Sequence, residues 1–251
     1  MRLVGTPTVQ PETWGDPALQ GKTLGIVNGS SWVDLWSMYF GRKYLPGVKL
    51  VSVGNEAVQL NFMGAHERGE PVPPQINIDL FASYAKDLAE LYPIDAILVT
   101  CSTMNRAFGS VREAMEPYNI PVVQIDEPMM EAAVTIGGRT LVIATHGPTV
   151  NNTQALLRET AERMGKEIEF EGATIEEAFH TLGEGRIKEH NEAIAETIRE
   201  VQSHLPIQSV VLAQLSMAVF LLSYPDPVAT FGIPVLTSAE YGFKRIREVL
   251  C

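Results

Sequence analysis

One cysteine stands where a short apolar run gives way to small polar residues. Residues 97–104 read ILVTCSTM, so Cys101 follows a β-branched run and precedes Ser102 and Thr103. A thiolate can accept a proton from a carbon acid or act as a nucleophile, and a helix N-terminus stabilises it. A buried cysteine can also serve only as a small apolar side chain. The pattern predicts Cys101 as the candidate catalytic group, with simple packing as the alternative.

The chain matches itself around this motif. Residues 210–217 read VVLAQLSM and follow the first copy at an offset of 113, and IPVL at 233–236 answers IPVV at 120–123 at the same offset. The run at 23–27 parallels the run at 140–144 at an offset of 117. The repeat predicts two copies of one α/β unit. In the second copy, Gln214 holds the position of Cys101.

Four predicted strands end in small hydroxyl or amide residues that precede a predicted helix. Such turns present unpaired backbone N–H groups and the positive end of a helix dipole, which suit a carboxylate. Ser and Thr are also common N-caps, so capping alone is the competing interpretation at each turn. The substrate-binding candidates at these strand ends are Asn28, Ser30, Ser102, Thr103, Asn105, Thr145, Thr149, Gln214 and Ser216.

Short apolar runs bounded by turn residues predict strands, and helical periodicity predicts helices between them. This alternation predicts an α/β fold of two pseudo-symmetric lobes, each a parallel sheet flanked by helices, with the active site in the cleft between them. The predicted strands are 23–27, 49–53, 96–100, 121–125, 140–145, 167–170, 209–213 and 234–237. The predicted helices are 78–91, 104–115, 152–164, 175–182, 186–204 and 241–250, and the stripe of Trp32, Trp36, Tyr39 and Phe40 predicts a further helix after the first strand.

The same patterns predict how the chain is divided. Residues 1–22, rich in Pro, Gly and polar residues, are expected to form an N-terminal arm. The first lobe is predicted to comprise 23–126 and 238–251, and the second lobe 127–237. The stretch 62–74 (FMGAHERGEPVPP) is the most loop-like interior segment, and we expect either a lid or a solvated connector there.

Composition restricts the function classes. The 251-residue chain carries a net charge of −11, which argues against a nucleic-acid or anionic-membrane surface but is compatible with a small anionic substrate. Two cysteines, one of them the last residue, indicate a reducing compartment, so we expect a cytoplasmic protein. We find no signal sequence and no membrane-spanning run. No zinc-ligand cluster or nucleotide-binding motif is present, so neither a metal nor a cofactor is expected.

Three motifs resemble those of the aspartate/glutamate racemase superfamily, which includes hydantoin racemases, maleate isomerase and arylmalonate decarboxylase. They are LVTCSTMN around Cys101, VIATHGPTVNNT after the middle strand, and VVLAQLSMA in the second copy, and the resemblance covers about residues 22–245. It implies a cofactor-independent reaction at the α-carbon of a small carboxylic acid held between the lobes. In the family a cysteine from each lobe flanks the reacting carbon. The resemblance also implies a homo-oligomer.

Position by position, the resemblance implies that Cys101 is the first-lobe thiol and that Ser102 and Thr103 bind the carboxylate beside it. Asn28, with Ser30 close by, takes the place of an Asp-Ser pair found in several members. Thr145 and Thr149 match hydroxyls of the second lobe. With the neutral Asn28 and no acidic partner in its place, we expect a small organic acid without an ammonium group.

The chain departs from the family pattern at Gln214, which replaces the second-lobe cysteine. A carboxamide exchanges no proton near neutral pH, so two-thiol racemisation is disfavoured. Three interpretations remain open. The chain is a one-thiol isomerase or carbon–carbon lyase, with Gln214 and Ser216 binding substrate. It is a racemase whose second base is another group, such as His146 or a water. Or it is a non-catalytic, small-carboxylate-binding or regulatory relative.

Overall fold

The computed structural model of the protein describes residues 15–145 and 147–251. The chain divides into two compact units. Of the described residues, unit 1 holds 15–125 together with Gly242–Cys251, and unit 2 holds Asp126–Tyr241. Each unit contains one four-stranded parallel sheet flanked by helices, which confirms the predicted fold class.

In unit 1 the strands lie in the order β2-β1-β3-β4, and every neighbouring pair is parallel. Helices alternate with the strands along the chain, as parallel crossovers require. The strands are β1 (Thr23–Asn28), β2 (Lys49–Gly54), β3 (Ala96–Val99) and β4 (Val122–Gln124), and the helices are α1 (Ser31–Tyr44), α2 (Glu56–Glu67), α3 (Gln75–Leu91) and α4 (Phe108–Met115).

Unit 2 repeats this topology with the order β6-β5-β7-β8. Its strands are β5 (Arg139–Ala144), β6 (Glu169–Thr174), β7 (Ser209–Leu212) and β8 (Val235–Thr237). Its helices are α5 (Glu127–Ile136), α6 (Gly147–Arg163), α7 (Glu176–Gly183), α8 (Ile187–His204), α9 (Phe220–Ser223) and α10 (Pro227–Phe231), and α11 (Ser238–Leu250) leads back into unit 1.

The central strands are buried on both faces. All residues of β1, β3 and β7 are buried, and in β5 only Arg139 is partly exposed. A strand covered by helices on both faces needs a continuous apolar run rather than an alternating one, which is why these runs stand out in the sequence. The edge strand β6 is mostly exposed, and its prediction was correspondingly displaced to 167–170.

The strand registers correct the sequence alignment of the two copies by one residue. Ala96 pairs with Leu24 in unit 1, and its counterpart Ser209, 113 residues later, pairs with Thr140 in unit 2. Leu24 and Thr140 are 116 residues apart, whereas the matched sequence runs are 117 apart. In the folded units Gly29 is therefore equivalent to Thr145. Apolar strands tolerate such an error in alignment because adjacent β-branched residues look alike in sequence.

Four helices of the structure were not predicted, namely α2, α5 and the short α9 and α10. Helix α2 begins after the N-cap Asn55, whose side chain accepts a hydrogen bond from the Ala57 backbone N–H at 2.9 Å. It covers much of the stretch 62–74 that was interpreted as a loop, because Phe62 is buried in the core, whereas the remainder of that stretch is irregular. Helix α5 begins with Pro128 in its first turn and buries several apolar side chains, namely Met129, Met130, Ala133 and Val134.

Across residues 15–145 and 147–251, no helix combines the length and apolar character that crossing a membrane requires.

Candidate functional site

Cys101 lies just beyond the carboxyl end of β3, in the middle of the unit 1 sheet. It is the N-cap residue of a short 3₁₀ helix, Ser102–Ala107, and only 2% of its surface is exposed. Its Sγ lies 3.1 Å from the Thr103 Oγ1, and either atom can be the donor. The thiol also belongs to the apolar cluster that contains Val58 and Phe81. The site therefore combines an apolar wall with a hydroxyl that can either accept from a thiol or donate to a thiolate.

The turn after β1 approaches the thiol closely at Gly29. A Cβ at this position would lie 3.1 Å from the Cys101 Sγ, 3.5 Å from a methyl group of Val58 and 3.7 Å from the Phe81 ring. Since adjacent parallel strands end at the same sheet edge, β1 and β3 bring Gly29 and Cys101 together. Glycine leaves the room that the thiol occupies.

The Asn28 side chain forms its hydrogen bonds within the protein. Its Nδ2 donates to Asp34 Oδ1 at 3.2 Å and to Ser52 Oγ at 2.9 Å, while its Oδ1 accepts from the Ser30 N–H at 3.2 Å. The Ser52 hydroxyl donates to the same Asp34 oxygen. A Cβ at Gly54 would collide with the Asn28 carboxamide. These contacts fix the start of the Gly29 turn, and they place an acidic side chain beside Asn28 where sequence reasoning found none.

The two serines that follow this turn hold helix ends. The Ser30 Oγ accepts from the Val33 N–H at 3.3 Å and caps α1. The backbone N–H and the hydroxyl of Ser31 both donate to Glu56 at the start of α2, at 2.9 and 2.7 Å. These two hydrogen bonds, the backbone one foremost, lower the pKa of Glu56. The turn is thereby tied to both helices that begin at this sheet edge.

A side chain from α2, which was not among the predicted site residues, also reaches the site. The Thr103 Oγ1 donates to the Gln59 Oε1 at 3.5 Å, and the same hydroxyl contacts the Cys101 Sγ. Gln59 lies in a helix that sequence reasoning did not predict, 44 residues from its partner. Amphipathic spacing of Val58 and Phe62 would have been the only available hint of this helix.

In unit 2 the Gln214 carboxamide hydrogen-bonds between the ends of the two equivalent strands, β5 and β7. The Gln214 Oε1 accepts from both the backbone N–H and the hydroxyl of Thr145, at 2.6 and 2.8 Å. A backbone N–H can only donate, so the atom facing it must be the amide oxygen rather than the nitrogen. The Gln214 Nε2 therefore points away from Thr145 and carries two N–H donors. Such donors suit a carboxylate oxygen.

The remaining predicted site residues lie on the same structural elements without joining these contacts. In unit 1, Ser102 and Asn105 are partly buried within the 3₁₀ helix that Cys101 caps. In unit 2, Thr149 is buried in the first turn of α6, and Ser216 is buried in the 3₁₀ helix Leu215–Val219 that follows Gln214. His146, the candidate second base, lies outside the described residues.

The chemistry of the site rests on sulfur, hydroxyl and amide groups. Within the part of the chain that the structure describes, no group of three or more His, Cys, Asp or Glu side chains could hold a metal ion. A buried thiol at a strand end, with a hydroxyl partner at 3.1 Å, can hold or move a proton.

Comparisons with known proteins agree with this architecture. Among solved structures, an aspartate racemase homologue from Pyrococcus horikoshii OT3 is 18% identical with a TM-score of 0.65, covering 91% of this chain and 99% of that chain. Glutamate racemase from Francisella tularensis subsp. tularensis SCHU S4, in complex with D-glutamate, is 16% identical with a TM-score of 0.63, covering 91% and 80%. Allantoin racemase from Klebsiella pneumoniae is 13% identical with a TM-score of 0.62, covering 92% and 88%. At these identities the likeness shows the fold.

No curated protein sequence matches the chain. The family model described as Asp/Glu/Hydantoin racemase matches residues 74–246, a span that includes Cys101, Thr145 and Gln214. Because that span is more than half of the chain, the protein belongs to the Asp/Glu/hydantoin racemase family.

Proposed function

We propose that this racemase-like protein is a cofactor-independent enzyme that acts through Cys101 at the α-carbon of a small carboxylic acid. The observation that carries the proposal is the placement of Cys101. Cys101 occupies the N-cap position of a 3₁₀ helix at the end of a central strand, with the Thr103 hydroxyl 3.1 Å from its Sγ. In open parallel sheets, ligands bind at the carboxyl ends of the strands.

In the proposed reaction Cys101 handles one proton. As a thiolate it takes the proton from the α-carbon, and the electron pair left on carbon delocalises into the substrate carboxylate as an enediolate. The isomerised product forms when the thiol returns this proton to another carbon of the substrate, or when water delivers a proton to the opposite face of the α-carbon. In the lyase variant a carbon–carbon bond breaks first, as in loss of carbon dioxide, and the thiol then gives its proton to the carbanion. Both variants need donors at the enediolate oxygens. We assign this role in unit 1 to Ser30, Ser102 and Asn105, whereas Thr103 serves as the hydrogen-bond partner of the thiol.

Asn28 takes a different role from the one first expected of it. Both sides of its carboxamide are engaged by Asp34, Ser52 and the Ser30 N–H, and 1% of its surface is exposed. We therefore propose that Asn28 positions the Gly29 turn under the thiol instead of binding substrate directly. The neighbouring Asp34 carboxylate removes the reason for excluding a substrate with an ammonium group, so amino acids belong among the candidates.

In unit 2 we propose that the Gln214 amide, with Thr145, Thr149 and Ser216, serves substrate binding rather than proton transfer. The amide cannot supply the second proton exchange of a two-thiol racemase. Its Nε2 offers two donors on the side that Thr145 leaves open. A one-thiol isomerase or carbon–carbon lyase is the reaction class that fits these groups.

Proton NMR in deuterium oxide tests the proposal. The wild-type protein and the variant C101A are each mixed with amino acids, hydroxy acids, malonates, maleate and hydantoins. Deuterium that enters the α-position, or a new product, reports proton transfer or bond cleavage. The matched control is C251A, which removes the exposed terminal thiol and leaves Cys101 intact.

We expect turnover of at least one compound by the wild type and C251A, and loss of about 10³-fold or more in C101A. Far-UV circular dichroism checks that C101A keeps its fold. Turnover that survives in C101A would overturn the role of the thiol. Line broadening of one compound without any turnover, equal in wild type and C101A, would identify a non-catalytic carboxylate-binding relative.

A further inference from the structure

The Thr103 hydroxyl has one proton and two candidate acceptors. The Cys101 Sγ lies 3.1 Å from the Thr103 Oγ1, and the Gln59 Oε1 lies 3.5 Å from the same oxygen. The Gln59 oxygen can only accept, so Thr103 must be the donor in that bond. The sulfur can do either, because a thiol donates weakly and a thiolate accepts strongly.

The two protonation states of Cys101 therefore require opposite hydroxyl orientations. With a neutral thiol, S–H donates to Thr103 and Thr103 donates to Gln59, so all three groups are satisfied in one chain. With a thiolate, the Thr103 proton must turn away from Gln59 and toward Sγ, because a charged acceptor forms the stronger hydrogen bond. Gln59 is bonded in the first arrangement only.

We infer that Gln59 is a positioning residue that acts through the Thr103 hydroxyl to favour the protonated form of the Cys101 thiol. The inference rests on the proposed function, since it concerns the same thiol. The proton that is exchanged with substrate belongs to sulfur. The Thr103 proton is only redirected, from the Gln59 oxygen to sulfur and back, so no atom is gained or lost by the pair. After the thiol has delivered its proton to the substrate, a proton from solvent restores the acid form, and Gln59 favours that form by accepting the Thr103 proton again.

The site is built so that a hydroxyl orientation can matter. Cys101 is almost completely buried among apolar side chains, where an electrostatic contact is screened less than in water. Asn77 holds the surrounding elements in place, because its Nδ2 donates to the Val58 carbonyl oxygen at 3.0 Å and its Oδ1 accepts from Asn61 at 2.9 Å. Gln59 follows Val58 directly and is fixed by the same helix.

Charged side chains on the surrounding elements stay the same in the variants compared below. Asp34 is hydrogen-bonded to Asn28 and Ser52, Glu56 to Ser31, and Asp79 to Gln75. Charged residues on these elements include Asp34 on α1, Glu56 on α2, Asp79 on α3, Arg106 on the 3₁₀ helix and Arg112 on α4. Their fields therefore cancel when variants at Gln59 are compared with one another.

The test is the pH titration of Cys101, followed by thiolate absorbance near 240 nm. All variants carry C251S so that one thiol remains, and the spectrum of the C101S/C251S protein is subtracted. In Q59L the Thr103 hydroxyl loses the Gln59 oxygen as an acceptor and keeps its contact with sulfur, so we expect the midpoint to fall by about half to one pH unit. In Q59E a carboxylate draws that proton away more strongly and adds a negative charge, so the midpoint should rise by a similar amount or more.

A double-mutant cycle shows whether Gln59 acts through Thr103. The change T103V removes the hydroxyl and should raise the midpoint, and Q59L added to T103V should then shift it no further. The conservative change T103S keeps the hydroxyl and should restore the wild-type midpoint. If Gln59 had a purely structural role, Q59L and Q59E would shift the Cys101 titration midpoint in the same direction. This outcome would overturn the inference. An equal effect of Q59L with and without Thr103 would overturn it as well.

The titration needs no substrate, so its result is separate from that of the proposed function. Absence of turnover with every compound would remove the catalytic role of Cys101 and leave the opposite shifts of Q59L and Q59E standing. If the wild type turns over a compound but substitutions at Gln59 leave the titration midpoint of Cys101 unchanged, the role of Gln59 is contradicted and the proposed function stands. Where turnover is found, the pH profile of kcat should move with the titration midpoint in both variants.

Discussion

At the scale of single residues, the two units place different side-chain pairs at equivalent backbone positions. Gly29 and Cys101 in unit 1 are equivalent to Thr145 and Gln214 in unit 2, as the strand registers establish. Glycine leaves space for a thiol, whereas threonine fills that space and binds the longer carboxamide through its N–H and hydroxyl. Gln214, the counterpart of Cys101, is thus accompanied by a neighbour that hydrogen-bonds to it.

The variant Q214L should unfold more easily than the wild type. Thr145 is 2% exposed, so loss of the Gln214 oxygen leaves its backbone N–H and hydroxyl without their acceptor. A buried donor left unsatisfied costs about 1–3 kcal/mol, which urea unfolding measures.

The isosteric variant Q214E is the control for this effect. Its carboxylate can accept both Thr145 hydrogen bonds, so we expect the free energy of unfolding to change by less than about 1 kcal/mol. It replaces the outward Nε2 donors with a negative charge, and a carboxylate substrate should then bind at least about tenfold more weakly. Unchanged substrate affinity in Q214E would contradict a substrate-binding role for the amide.

At the scale of secondary-structure elements, Asn28, Asp34 and Ser52 join three elements at one sheet edge. One residue comes from β1, one from α1 and one from β2, and the Asn28 amide donates to the other two. One carboxylate and one amide satisfy this arrangement. Two carboxylates would leave a like-charge pair with too few protons between them.

The variant N28D should acquire a pH-dependent defect. Two carboxyl groups at hydrogen-bond distance retain a shared proton, so the folded state holds it to higher pH than the unfolded state does. Stability is therefore present at low pH and lost as the pH rises above the ordinary carboxyl range near about 4. By pH 8 we expect unfolding in urea to report a loss of about 1–3 kcal/mol.

The double variant N28D/D34N provides the swap control. It again places one carboxylate and one amide at this edge, so the wild-type pH dependence should return. If the free energy of unfolding of the double variant depended on pH as strongly as that of N28D, the contacts among Asn28, Asp34 and Ser52 would not explain the defect.

Helix α8 carries a second buried polar contact that links elements. His190 is fully buried, and its Nδ1 lies 2.8 Å from the Ala178 carbonyl oxygen of α7. The carbonyl can only accept, so Nδ1 carries the proton, and the buried Nε2 has no hydrogen-bond partner among the described residues. Burial, only partly offset by the Ala178 contact, lowers the pKa of His190.

This lowered pKa predicts that acid destabilises the fold. The unfolded chain binds a proton near the ordinary imidazole pKa, about 6.5, whereas the folded chain resists it, so this contribution is complete above that pH and falls as the pH drops. The slope is at most about 1.4 kcal/mol per pH unit. Urea unfolding between pH 7 and pH 5 should show it in the wild type but not in H190N, while the exposed-residue control H204N should behave as wild type. An identical slope in H190N would assign the acid sensitivity to other groups.

At the scale of the whole molecule, the chain leaves unit 1 after Ile125 and returns at Gly242. Helix α11 completes unit 1 on its return. A Cβ at Gly242 would lie 2.7 Å from the Ile125 carbonyl oxygen, so glycine permits close packing there. Phe243 follows it, fully buried, with its ring centroid 6.3 Å from that of Tyr44.

The variant F243A should weaken unit 1 selectively. Removing a fully buried phenylalanine ring costs about 3–5 kcal/mol because it leaves a cavity. Native-state hydrogen exchange should show lost protection at the amides of β1 and β3, with β5 and β7 preserved. The control V249A alters a residue that is 37% exposed on the same helix and should cost less than about 1 kcal/mol. Equal loss of protection in both sheets would show that the units do not unfold separately.

The sequence by itself determined the α/β fold, the repeat and the position of Cys101 at the end of a central strand. These features are local, since a buried parallel strand must be a continuous apolar run and a turn must follow it. It missed α2 because Gly, Asn and charged residues obscure the short apolar stripe of Val58, Phe62 and Ala65.

Only the tertiary structure decided which polar atoms meet. Hydrogen bonds join Asn28 to Ser52, Gln59 to Thr103, and Thr145 to Gln214, across separations of 24, 44 and 69 residues. Sequence periodicity tells which side chains are buried, but strand register and helix docking set which donor faces which acceptor. A one-residue difference in register made Gly29, rather than Asn28, the counterpart of Thr145 and so decided which residue lies beside the thiol.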